Sequence, residues 1–244
     1  LTQTVTEEPN ATLIKNDSKL IELLEQDNLN INQVEDYHIY PICDNEIPCL
    51  SADRLEYMFP SGMILEGSWN LSEIKRTYDD ITILRNEQNQ PELGFKTLSI
   101  AEEYCRKVCM TGHVLQLNEN KLTLQLLGHI MNCAVEEGAL LETDFMELSE
   151  KEILEKLDRN DSEKLSRLLL TFTTMTKIGH TQKALPSDEY FCVNLKVKQR
   201  YINPLVEQGF NPPKRLSELS QTAKNIITDF LDYEDTPFGC VKII

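Results

Sequence analysis

At 244 residues, with 41% hydrophobic and 26% charged side chains, the chain has room for one sizeable core or two modest domains and the composition of a soluble globular protein. With 24 Lys and Arg against 40 Asp and Glu the formal net charge is −16, a surface that repels nucleic-acid backbones and anionic membranes, so neither is expected as a partner. No apolar run reaches the roughly 18 residues of a transmembrane helix.

In chain order, residues 11–26 read as a helix with Leu13, Ile14, Leu20, Ile21, Leu23 and Leu24 apolar. Residues 36–48 are irregular, and His38 within them is a candidate to reach a metal or phosphate near Asp53. Leu50 to Tyr57 then sets Asp53, Arg54 and Tyr57 within a turn and a half of expected helix. Asp53 and Tyr57, four apart, share a face with Arg54 on the flank. Asp is a hard oxygen ligand for cations and Arg a planar phosphate clamp. The plainer alternative is a helix start whose acids suit the dipole while Leu55 enters the core. Pro60-Ser61-Gly62 is expected to end this helix near Phe59.

A second helix, capped by Asn70 or Ser72, is expected through roughly Leu84 on the stripe Ile74, Tyr78, Ile81. After a polar turn at residues 86–91, Glu92 to Phe95 reads as a short extended piece, followed by an amphipathic helix over about 99–111. Residues 120–137 carry the longest periodic segment, Leu122, Leu126, Ile130 and Ala134 at strict fours, with Gly138 as its stop. Ser149 to Glu152 is a capping box that opens another helix, and a further one follows Asp161. The period changes to two at Phe191, Val193, Leu195 and Val197, the one convincing strand. Its polar side gathers Lys196, Lys198 and nearby Arg200, either a solvated face or a candidate allosteric anion site. Pro204 to Pro213 reads as a turn and residues 217–231 as the last helix.

Of the seven cysteines, none forms a C-x-x-C pair, so scattered buried thiols in a cytoplasmic protein are expected. Cys105 and Cys109 stand four apart, as zinc ligands can, but no second pair completes a site. Asn10 and Asn70 open glycosylation-type triplets, discounted because nothing marks secretion.

Taken in order, several of these pieces resemble the HD-domain phosphohydrolases, in particular the deoxynucleoside triphosphate triphosphohydrolase-like branch. Ser51-Ala52-Asp53-Arg54-Leu55-Glu56-Tyr57 is similar to that family's D-R-L-D-Y segment. The likeness continues in Asp79-Asp80-Ile81, Glu92 to Phe95, Leu141 to Phe145, Ser149 to Ile153, Lys198 to Val206 and Arg215 to Leu219. It implies a mainly α fold, an HD-like helical bundle with a small β element near the C-terminus. Residues 1–138 would be the C-terminal part of the helical core, and 139–244 an extension packed on it.

The resemblance further implies a metal held by a His, a His-Asp pair and a final Asp that Asp53 matches. Arg54 would be catalytic, and Tyr57 and His38 would lie near substrate. The function implied is metal-dependent hydrolysis of deoxynucleoside triphosphates or another phosphate ester, in a homo-oligomer of identical chains. The metal would be Mn, Mg, Fe or Ni, polarising a phosphate and activating a bound water. The sequence departs from the pattern in one respect: it contains no His-Asp dipeptide, and its four histidines, His38, His113, His129 and His180, stand in other contexts. With no Met at Leu1, the expectation is the C-terminal part of a longer enzyme, inactive without an upstream segment that carries the missing ligands. The alternative is a non-catalytic nucleotide-sensing or assembly module that uses Lys196, Lys198 and Arg200.

Overall fold

The computed structural model describes residues 7–36 and 39–244, and it is a mixed α/β structure, 52% helix and 14% strand, with helices and two sheets spread along the chain. This overturns the mainly α bundle with one small β element. The chain divides into two compact units, Leu1–Thr111 with Arg200–Asp229, and Gly112–Gln199 with Phe230–Ile244.

In the first unit, the helix expected over 11–26 is two, α1 (Glu7–Asn16) and α2 (Ser18–Gln26). Asp17 parts them because its side chain accepts from the Lys19 and Leu20 backbone N–H groups, capping α2. Helix α3 (Ala52–Leu65) starts at Ser51, whose hydroxyl accepts from Arg54 N–H. It does not stop at Phe59, because Pro60 is accommodated inside it. Gly62 is needed there, since a Cβ would lie 2.7 Å from both Ser68 Oγ and Trp69 Cδ1.

Helix α4 (Leu71–Asp80) opens on a capping box of Asn70 and Glu73 and ends four residues before the expected Leu84. The β-branched run Ile81-Thr82-Ile83 goes instead into β1 (Ile81–Arg85), paired antiparallel with β2 (Pro91–Phe95). The Asp80 carboxylate accepts from Thr97 N–H and Oγ1, tying the end of α4 to the start of α5 (Leu98–Gln116).

The stretch read as a turn at 204–213 is a hairpin, β5 (Leu205–Gln208) and β6 (Asn211–Arg215), reversed at Gly209 with φ +61°. The sheet order β1-β2-β5-β6 places Pro212 and Pro213 on an edge strand, where a missing N–H costs nothing. Gly94 sits where β2 meets β5 in parallel, and a Cβ would come within 2.6 Å of Leu205 O. Against this sheet and α3 packs an aromatic group, Phe59, Trp69, Phe95 and Tyr104, with ring centroids 5.0–5.8 Å apart. Burial raises the Tyr104 phenol well above its ordinary pKa, and its hydroxyl donates to the Arg54 and Leu55 carbonyls.

The second unit is built on α6 (Asn118–Glu136), with α7 (Asp144–Glu147), α8 (Glu150–Asp158) and α9 (Glu163–Thr174). The stripe Leu122, Leu126, Ile130, Ala134 is fully buried and packs with Leu165 and Leu168 of α9. Each buried Leu contributes about 1.5–3 kcal/mol. Ser149 and Glu152 form the expected capping box at α8.

A three-stranded sheet covers α6 in the order β3 (Gly179–Thr181), β7 (Phe238–Lys242), β4 (Tyr190–Val193). The strand expected through Val197 therefore stops at Val193, and residues 194–204 are irregular. Cys192 and Cys240, register partners on β4 and β7, are joined in a disulfide across 48 residues, so these two are not free thiols. The other cysteines are free. Where a single helix over 217–231 was expected there are two, α10 (Leu216–Leu219) and α11 (Gln221–Asp232); Ser220 parts them and caps the second through Ala223 N–H.

Candidate functional site

The two neighbours at the start of α3 have opposite fates. Asp53 is exposed, whereas Arg54 is only 7% exposed and turned into the protein. Its guanidinium donates to Asn45 O at 2.8 Å, Asn45 Oδ1 at 3.0 Å and Asp44 Oδ1 at 3.1 Å, with a longer contact to Cys49 O at 3.4 Å. Asn45 in turn donates through Nδ2 to Pro41 O and Leu50 O. The loop 41–50 is thereby wrapped around Arg54, and the guanidinium has no free edge with which to clamp a phosphate. Its role in this structure is to hold the loop against α3.

That loop delivers Asp44 beside Asp53. Cys43, Asp44, Ala52 and Asp53 line a cavity of about 340 Å³, and the stretches of chain that carry them are joined by Ala52 N–H donating to Ile42 O and Asp53 N–H donating to Cys43 O. Asp53 makes no side-chain hydrogen bond or ion pair among the described residues. One turn along, Tyr57 is half-buried, and its hydroxyl is enclosed without a hydrogen-bond partner. A buried hydroxyl left in that state is costly unless water or a ligand satisfies it. His38 lies outside the described residues.

A divalent cation prefers several hard donors converging on one point. Among the described residues no group of three or more His, Cys, Asp or Glu is placed to hold a metal ion. Asp44 and Asp53 alone do not fit a catalytic metal, the more so because Asp44 is already paired with Arg54. Cys105 and Cys109 are buried thiols; their mutual hydrogen bond, then burial, pushes the Cys105 pKa far up, away from the thiolate that zinc binds.

A second lock in the same unit escaped the sequence reading. Glu92, fully buried on β2, accepts from Arg215 Nη1 at 2.6 Å and Nη2 at 3.0 Å, and from Leu50 N–H. Arg215 also grips Glu87 through two bonds of 2.7 Å. Burial works against the charge on Arg215, but the two carboxylates more than offset it and hold its pKa above the ordinary value. The signal was a lone acid in the apolar run Glu92-Leu93-Gly94-Phe95, which in a buried strand requires a partner.

Lys196 and Lys198, expected side by side on a strand, are exposed on irregular backbone, and Arg200 belongs to the first unit. Lys196 lines a cavity of about 240 Å³ together with Lys121, Gln116, Asn118 and Gln199. The amides there are already committed. Asn118 Nδ2 donates to Thr236 O at 2.7 Å, and Gln199 Nε2 donates to Leu231 O at 2.7 Å and to Gln116 Oε1 at 3.3 Å. Asp235 accepts from Asn118 N–H; burial opposes its charge, yet this bond and that from Thr236 N–H hold its carboxyl below the ordinary range.

The three described histidines are likewise engaged within the second unit. His113 packs on Tyr233, His129 stacks on Phe191, and His180 bonds Glu119 Oε1 at 2.9 Å and Thr236 Oγ1 at 3.0 Å. Comparison with known proteins gave no match to a family model, a curated protein or a solved structure. Function has to be read from the residues themselves. No helix among the described residues is long and apolar enough to cross a membrane.

Proposed function

We propose that Asp53 is one carboxylate of a metal-dependent, HD-type phosphohydrolase site acting on deoxynucleoside triphosphates or another phosphate ester. The observation that carries this reading is the contrast within α3. Arg54 and Ser51 are consumed by local structure, while Asp53 is left without a partner at a cavity it shares with Asp44. The enclosed, unpartnered hydroxyl of Tyr57, one turn away, supports it. The imidazoles such a metal needs come from residues other than those described, His38 or a further polypeptide segment among them. By this reading the described residues alone neither retain the metal nor turn over substrate. Arg54 acts as a positioning residue, fixing the loop that brings Asp44 to Asp53.

The setting we propose is cytoplasmic, in keeping with five free cysteines, and the protein self-associates. The Cys192–Cys240 bridge is the feature that fits a reducing compartment least. The test uses the longest polypeptide translated from the gene, purified with and without Asp53→Ala. We expect the parent to hold manganese or a similar ion and to release phosphate from a panel of nucleotides. The variant should lose both by two orders of magnitude or more, on the order of what losing a metal ligand does. An equal metal content and equal phosphate release in the variant would overturn the proposal.

A further inference from the structure

The second unit contains a cavity of about 820 Å³ between α9, β4 and the loop that precedes β4. That volume is within the range of small-molecule sites, roughly 300–1,000 Å³. One wall is cationic. Lys164 and Arg167, three apart on α9, both line it. In this acidic chain many cations are tied to carboxylates, yet neither of these two pairs with an Asp or Glu among the described residues. Arg167 commits only Nε, to Ile244 O at 3.4 Å, which leaves both terminal nitrogens of the fork available. A hydrogen bond with the Cys133 sulfur raises the Lys164 pKa.

Aromatic side chains line the same cavity. His129 and Phe191 stack with centroids 5.4 Å apart and an interplanar angle of 27°, and Tyr190 lies alongside. Cys133 Sγ lies 3.6 Å from His129 Nε2. Two carboxylates, Glu163 and Asp188, also line the cavity but are exposed to solvent. They cancel the formal charge of the two cations, so the cavity does not attract anions at long range. Recognition has to come from contact, with a fork and an ammonium for the charge and a stacked ring pair for an aromatic group.

We propose that this cavity binds a small aromatic anion, a planar ring that carries a phosphoryl or carboxylate group. The anionic group docks on Arg167 and Lys164 and the ring lies against His129, Phe191 and Tyr190. Neither Asp53 nor the α3 loop takes part, so the proposal stands or falls apart from the hydrolase reading.

The test is calorimetric titration with phenylphosphonate, whose C–P bond a phosphoester hydrolase leaves intact, against methylphosphonate and phenol as controls. Expected is saturable binding of one phenylphosphonate per chain, about tenfold or more tighter than either control. Lys164→Gln with Arg167→Gln should weaken it about tenfold or more at unchanged melting temperature. Asp188→Asn should tighten it, and Asp53→Ala should leave it as it was. No saturable binding, or equal affinity for phenylphosphonate and methylphosphonate, overturns the proposal. So does binding untouched by the double substitution, which would mean an adventitious contact elsewhere.

Discussion

In the first unit two arginines are used up: Arg54 is enclosed by Asp44, Asn45 and Cys49, and Arg215 is held by Glu87 and Glu92. In the second unit Lys164 and Arg167 face a cavity with no Asp or Glu bound to either among the described residues. Both pairs are cations near acids in an acidic chain, so charge alone does not separate them. What does is desolvation. Glu92 is fully buried and needs Arg215 to pair with it, whereas Glu163 and Asp188 are hydrated and have no need of a cation. A cation that structure demands is therefore a poor candidate for function, and one that structure leaves alone is a better one.

The largest expected effect tests the first half of that contrast. Arg215→Ala leaves the Glu92 carboxylate buried and unpaired and should cost about 3–5 kcal/mol in urea unfolding. Arg54→Ala, whose acidic partner is partly exposed, should cost about 1–3 kcal/mol by orphaning the Asn45 and Cys49 carbonyls. If Arg215→Ala proved neutral, the locks would be ornamental and the comparison would fail.

An intermediate effect is expected with pH. Hydrogen bonds from Arg215 lower the Glu87 pKa, and those from Lys107 and then Asn70 N–H lower that of Glu73. Lys107 is itself buried, 3.0 Å from Glu73, 3.1 Å from Glu103 and 3.8 Å from the Trp69 ring centre. A depressed folded-state pKa gives stability that is fully present above the ordinary carboxylate pKa of about 4.3 and is lost as pH falls through the folded value. The urea midpoint should therefore hold from neutral pH down to about 5 and drop below about 4. In Arg215→Ala that drop should be shallower, and an identical acid profile would separate Arg215 from the effect.

The smallest effect belongs to the second half of the contrast. Lys164→Gln and Arg167→Gln should each shift stability by no more than about 0.5 kcal/mol, as for exposed side chains that pair with no Asp or Glu. A loss above about 1 kcal/mol in either would make them structural after all, and would remove the reason for assigning them to a ligand.

The features legible in the sequence are those that local physics decides. The strict fours from Leu122 to Ala134 predicted a buried helix face, and all four residues are fully buried in α6. The capping box at Ser149, the cap at Asn70 and the extended Glu92 to Phe95 also stand where their residue types put them. Each depends on partners within a turn, or on the alternation within one strand. Tertiary structure alone decided the rest. Ile81-Thr82-Ile83 continued a helical stripe on paper and became β1 because β2 offered a partner, and β2 in turn is held by β5, far along the chain.

The second sheet depends on β7, at the end of the chain, which pairs with both β3 and β4 and carries Cys240 to Cys192. The partner of Glu92 is 123 residues away in Arg215, a distance that no local pattern spans. Asp53 and Arg54 are adjacent and equally polar. Only the loop 41–50, folded over one side of α3, buried the arginine and left the carboxylate open to a ligand.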